Sequence, residues 1–465
     1  MTDETINYRD ATALPRATET KVFRRDFAHE YRTIVRGSGV WLYDADGRRF
    51  LDAVGGAAVV TIGHGVERIT RRLHENFESV PYVYGDGQTT QWQEELAARV
   101  VDMCGIPGSR AYFVSGGSEA NETAIKMARQ YHVERGTPSK HKVIARWQSF
   151  HGVTLGALSL SGRTSWREAF DPYLIPFPHI VPPYCYRCPF GKTYPSCNTA
   201  CADDLERQIL MEGPATVAAF IAEPIIGTTV TGVTPVPDYY AKIREICDRY
   251  DVLFIADEVL TGSGRTGLPL AIHHWGVEPD IVTLGKGLSS GYVALAAAVA
   301  GPKVVEVFAN SGGRRFTHGL TFSGLPIACF IGLQVLEYLQ ENKLFDRAAR
   351  MGQYLDTRLS WLAERHEIVG DVRVKGLLAG VEFVANKATR EPLPSSADFA
   401  RRLADMLEQD YGVLIRPGVP NVNYGRGGDH IQITPPYIIE REEIDQIVDA
   451  LDGALSDLEP SVARA

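Results

Sequence analysis

The chain has 465 residues, 45% hydrophobic and 23% charged. These are ordinary globular proportions with enough apolar surface for a large core, so a short peptide-binding module and a mainly disordered chain are both excluded. Lysine and arginine number 48 against 57 acidic residues, a net charge of −9, which argues against general attraction to nucleic acid or an anionic membrane because both need concentrated positive charge.

The N-terminal stretch MTDETINYRDATALPRATETK is polar and lacks the apolar segment of a secretory signal. The longest apolar runs, Ala294 to Gly301 and Leu325 to Phe330, fall well short of the ~20 residues that span a bilayer, so a cytoplasmic location is expected. VWLYDADGRRFLDA reads as a hairpin turning at Asp46 and Gly47, a pair that readily adopts positive φ. Strands are then predicted at Ala111 to Val114, Val143 to Trp147, Val217 to Ala222, Val252 to Ala256, Ile281 to Leu284 and Leu295 to Ala300. Several are apolar on both faces, as parallel strands covered by helices on each side are, and the stretches between them are long enough for crossovers. Beyond them, Val372 to Val384 and His430 to Thr434 read as strands, and Ala397 to Gln409 and Glu440 to Leu458 as helices. The expected fold is α/β: a large, mostly parallel-sheet domain over 76–335, and a smaller α+β domain built from both ends, 1–75 and 336–465.

Four constellations along this core carry chemistry. Val114 to Glu122, VSGGSEANE, follows a strand and opens a helical pattern running to about Arg135. Its glycines let the backbone approach an anion, the helix start favours phosphate, and Ser118 adds a hydroxyl, although a serine cap on a Gly-Gly turn would read the same. The irregular segment from Asp171 to Cys201 holds seven prolines and four of the seven cysteines. Cys185 and Cys188, then Cys197 and Cys201, are spaced to surround one zinc ion or an iron–sulfur cluster, or are four free thiols in an insertion. Cys104, Cys247 and Cys329 are scattered among apolar neighbours and read as small buried hydrophobes. Without a signal peptide, a disulfide framework is not expected.

The third constellation is Asp257-Glu258 at the end of a buried strand, the edge where open parallel sheets bind ligands. The glycines from Gly262 to Gly267 match a dinucleotide fingerprint, but Leu268-Pro269-Leu270 does not continue as the required helix, and no GxxxxGK[ST] loop exists for a nucleoside triphosphatase. The fourth is Lys286 between Gly285 and Gly287, after another apolar strand, where an amine can be held dry and reactive toward a carbonyl. An anion cup, an acidic strand end and a flanked lysine are the parts that pyridoxal phosphate requires.

With SGGSEANETA, the AEP at Ala222 to Pro224, IADEVLTGSGRTG, TLGKGLSSGY, HGLTFSG and ITPPYII, the chain resembles the class III aminotransferases, the ω-transaminase group of the fold type I pyridoxal phosphate enzymes, over nearly its whole length. The resemblance implies Lys286 as the Schiff-base lysine and Asp257 as partner of the pyridinium nitrogen. Gly117 and Ser118 would hold the phosphate, joined by Thr321 from the other subunit, hence a homodimer with shared active sites. Val259 would lie under the cofactor ring, Phe150 over it, and Glu223 near it. For the substrate, Arg416 stands where relatives place a mobile arginine that clamps the acceptor carboxylate, with Arg426 as the alternative. Ala58 replaces a tryptophan common in ω-transaminases and hints at a roomier amine pocket. The implied activity is transfer of an amino group from an amine or ω-amino acid to a keto acid such as pyruvate. An aminomutase or decarboxylase on the same scaffold, and a non-enzymatic metal-binding dimer, are the alternatives.

Overall fold

In a computed structural model the described residues are 20–76, 80–310, 315–418, 421–425 and 427–462. Three strands open the chain: β1 (Ile34–Ser38), β2 (Trp41–Asp44) and β3 (Arg49–Asp52). The β2–β3 turn is at the predicted hairpin, with Gly47 at φ 80°. Seven strands form the central sheet: β4 (Arg110–Val114), β5 (Lys142–Arg146), β6 (His179–Ile180), β7 (Val217–Ala222), β8 (Leu253–Asp257), β9 (Ile281–Leu284) and β10 (Ala296–Ala300). Its order is β4-β10-β9-β8-β7-β5-β6. Neighbours from β9 to β6 are parallel, and β10 runs antiparallel between β9 and β4. The six predicted strands are all present, with ends shifted by a residue at most.

Both faces of this sheet are buried, and the alternation of side chains shows how. Along β8, Leu253 and Ile255 join Ala219, Ile221 and Ile281 against the helix Gly117–Glu134, through Ala124, Ile125, Ala128 and Tyr131. Phe254 and Ala256 belong to the opposite face, with Phe220, Val282 and residues of the helices Ala200–Glu212 and Tyr239–Arg249. Every position of β7, β8, β9 and β10 is buried, so a period-2 polar pattern could not form there.

The later strands are β11 (Val369–Lys375), β12 (Leu378–Asn386), β13 (Glu391–Pro392), β14 (Val413–Leu414), β15 (Arg416–Pro417) and β16 (Asp429–Ile433). β11, β12, β16 and β15 make an antiparallel sheet, with β13 added beside β12. β14 pairs parallel with β3, tying the late chain to the opening hairpin. Among the described residues no helix is long and apolar enough to cross a membrane.

The glycines from Gly262 to Gly267 open no helix. A Cβ at Gly264 would strike Phe345, and one at Gly267 would strike Ala349, so these glycines serve close packing rather than a dinucleotide.

Candidate active site

Parallel strands deliver their C-terminal ends to one edge, and the candidate residues stand there. Gly117 and Ser118 follow β4, Phe150 follows β5, Glu223 follows β7, Asp257 ends β8 and Lys286 follows β9. Together with Val259, Asn121, His151 and Thr228 they line one cavity of about 170 Å³.

Asp257 is held from two sides. His151 Nδ1 donates to its Oδ2 at 2.7 Å and Asn121 Nδ2 donates to the same oxygen at 2.8 Å. Its Oδ1 accepts from the backbone N–H of Val259 at 3.1 Å. Thr283 in β9 donates to Asn121 Oδ1 at 2.8 Å, which fixes the amide so that its NH₂ faces the carboxylate. Nε2 of His151 is buried with no partner in the structure.

Lys286 sits at φ 41°, a left-handed conformation that costs a non-glycine residue about 1–2 kcal/mol. It is held there by the backbone N–H groups of Ser289 and Ser290, which both donate to its carbonyl. Burial pushes its ammonium down to about 8, with the Asp257 charge opposing the shift and Arg416 adding to it. Such an amine carries a far larger neutral, nucleophilic fraction near neutral pH than an ordinary lysine does.

The helix Gly117–Glu134 begins at Gly117 with no side chain capping its first turn, so its leading amides are available to an anion. Ser118 is inside that turn rather than at the cap, which is Gly116, and its Oγ accepts from Val153 N–H at 3.1 Å. A Cβ at Gly117 would stand 2.6 Å from Val259 Cγ1, so only glycine lets Val259 close against the cavity floor. Glu223 accepts from Phe150 N–H at 2.9 Å and from Gly227 N–H at 2.8 Å. Burial raises its carboxyl above the usual range. Phe150 packs edge-on against Trp166, with centroids 5.6 Å apart.

Other expected residues lie elsewhere. Thr321 is exposed and is not in the lining of this chain's own cavity. Ala58 is buried in one cluster with Ile225 and Leu260, which line the cavity, and is not itself in the lining. Arg416, in β15, is partly buried and its charge reaches Lys286. Arg426 lies outside the described residues. Cys104, Cys247 and Cys329 are buried, as read from their neighbours.

The expected metal centre finds no support. Cys185, Cys188, Cys197 and Cys201 do come round one small cavity, and none of them is in a disulfide. Among the described residues no group of three or more His, Cys, Asp or Glu side chains is placed to hold a metal ion. Polar contacts order the segment instead. Arg187 Nε donates to the buried Glu382 at 2.7 Å, Tyr184 also donates to Glu382, Tyr194 bonds Asp238 at 3.0 Å, and Lys242 reaches the Asn198 carbonyl at 2.9 Å. Spacing reports only that four thiols can converge; the distances between them depend on what the intervening loop packs on.

Asn121 and Thr283 were not singled out from sequence. Asn121 stands inside the quoted SGGSEANETA stretch, four residues past Gly117, one helical turn and hence the same face, which is the signal that could have found it. Thr283 opens the quoted TLGKGLSSGY stretch, but nothing local to it announces a bond to Asn121.

A family profile described as Aminotransferase class-III matches residues 23–455. The chain is 35% identical to a diaminobutyrate–2-oxoglutarate transaminase from Halomonas elongata, covering 95% of this chain and 94% of that protein. It is 36% identical to a putrescine–pyruvate aminotransferase from Pseudomonas aeruginosa, covering 90% and 89%. A solved structure, an (S)-enantioselective ω-transaminase from Thermomicrobium roseum, is 38% identical, covers 92% of this chain and 93% of that one, and superposes with a TM-score of 0.86.

Proposed function

Since the chain belongs to the class III aminotransferases, we propose that it moves an amino group from a primary amine or ω-amino acid to a 2-oxo acid with pyridoxal phosphate as its cofactor. The observation that carries this reading is the placing of Lys286 and Asp257 on one cavity, the amine depressed to about 8 and the carboxylate held by His151 and Asn121.

The residues fit the cofactor. Asp257 accepts from every neighbour that touches it, so it is placed to keep a ring nitrogen protonated. Gly117, Ser118 and the uncapped helix start suit a phosphate. Val259 and Phe150 offer apolar walls, and Lys286 supplies the amine that would hold the aldehyde. When bound, the cofactor supplies a carbonyl to receive the amino group and an electron-accepting ring. Lys286 is placed to hold and return a proton at its ε-nitrogen beside the substrate carbon. Arg416 orients the acceptor carboxylate. Glu223 braces the Phe150 wall through its backbone. Thr321, exposed in the single chain, is available to a second copy, in keeping with a homodimer whose sites are shared.

The test is spectroscopic. Purified holoenzyme should show the visible band of lysine-bound cofactor, lose it with a primary amine and regain it with a 2-oxo acid. Lys286→Ala should abolish the cycle. Turnover at the wild-type rate in that variant, or carbon dioxide release in place of amino transfer, would overturn the proposal.

A further inference from the structure

Beside the cavity stands a positive charge that no described group neutralises. Arg163 lies between Gly162 and the short helix Thr164–Arg167, its side chain 2% exposed. Among the described residues its Nε is buried with no hydrogen-bond partner and no carboxylate acts on its guanidinium. The guanidinium carbon lies 3.7 Å from the centre of the Trp166 ring and 5.9 Å from that of Phe150, which lines the cavity. Stacking orients a guanidinium but does not cancel its charge.

A second cation faces the same region. Arg416 is partly buried, and among the described residues no carboxylate acts on it while Arg25 opposes its charge. Burial, then Arg416, then Arg25 push Arg163 down to about 9, and no carboxylate acts the other way. The surrounding polar atoms are also unused. Among the described residues, Oγ1 of Thr228 on the cavity wall and the whole side-chain amide of Asn421 are buried without partners. Arg163 also acts on His430, whose pKa falls to about 4, mainly through burial, so that ring is neutral.

Buried charges are ordinarily paired, and two unpaired guanidinium groups within each other's field are costly unless a ligand brings the counter-charge. A monocarboxylate clamped by Arg416 would leave Arg163 uncompensated; a ligand with two carboxylates would satisfy both. We infer that Arg163 is a specificity residue for the distal carboxylate, and that the acceptor this site prefers is a 2-oxo dicarboxylate whose proximal carboxylate lies on Arg416. The bidentate fork of each arginine suits a carboxylate. This inference rests on the transaminase reading above.

Two measurements test it on the holoenzyme. In the wild type, glutarate should inhibit at least tenfold more tightly than pentanoate, which has the same number of carbons and one carboxylate. The ratio of kcat/KM for 2-oxoglutarate over pyruvate should fall at least tenfold in Arg163→Gln, mainly through KM, and Arg163→Lys should recover part of it. A ratio that moves less than threefold in a folded variant, or equal inhibition by the two acids, overturns the inference. If Arg163→Gln does not fold, the wild-type inhibitor comparison decides alone. The amine half-reaction, followed by loss of the visible band, separates the two levels. If it fails in the wild type, the transaminase reading falls; if it succeeds while the selectivity results fail, only the role of Arg163 falls.

Discussion

Gly152 tests whether the anion cup is held by packing. Its φ is 135°, and a Cβ there would stand 2.4 Å from Ser118 Oγ, 2.8 Å from Ser118 Cβ and 2.9 Å from Ala157 Cβ. Gly152→Ala therefore carries two costs, about 1–3 kcal/mol for a backbone conformation foreign to alanine and about 1–3 kcal/mol for overpacking. Gly136 separates them. It has φ 76° at the end of the helix Gly117–Glu134, with nothing within 4 Å of a Cβ, so Gly136→Ala should lose only the backbone share, about 1–2 kcal/mol. Urea unfolding of wild type and both variants gives the two losses. The excess of the Gly152→Ala loss contains the steric part, and because that part displaces Ser118, only Gly152→Ala should also weaken cofactor affinity. Equal losses in the two variants, or a Gly152→Ala protein that binds cofactor as wild type does, would refute the packing argument.

Further expectations follow from the titrating groups. The rate at which cofactor-free protein captures an aromatic aldehyde should rise with pH to a midpoint near 8, not lysine's ordinary 10.5. Asp257→Ala should move that midpoint lower, since it removes the charge that favours the ammonium, and a midpoint at the ordinary value would contradict the burial of Lys286. Glu258 is pushed up to about 7 by burial, against hydrogen bonds from Thr261 and from Ile272 N–H. Its folded value lies above the unfolded 4.5, so its contribution to stability is full below pH 4.5 and is lost as pH rises through 7. Glu258→Gln should flatten that part of the stability profile, and identical slopes in variant and wild type would count against it. In the cysteine loop, burial raises the Cys201 thiol to about 12 while Cys185 is exposed. Alkylation followed by mass spectrometry should therefore label Cys201 last. Strong, equal protection of all four thiols, with bound metal, would restore the metal centre.

Much of the site was legible because its parts are local. Gly117, Asp257 and Lys286 each follow a short apolar run, and a strand buried on both faces can be read from its composition. A parallel sheet then brings such strand ends to one edge whatever the loops between them do. The hairpin at Gly47 is similarly local, a turn determined by residues in sequence contact. Hence the class of fold, the strand positions and the lysine and carboxylate at the centre came from sequence alone.

What only tertiary structure decided depends on pairs distant in sequence. Nothing near Asp257 announces that its ligands are Asn121 and His151, 136 and 106 residues away. The cysteine spacing suggested a metal cage, yet the loop is ordered by Arg187 reaching Glu382, 195 residues on, and the thiols are not set in a ligand cluster. Arg163 stands in a polar stretch of sequence, and only the fold buries it near Trp166 and Phe150 with no acidic partner among the described residues. Burial and charge balance are sums over the whole molecule, so the chain can state which groups it carries, while only the packed fold determines which of them are left without a partner.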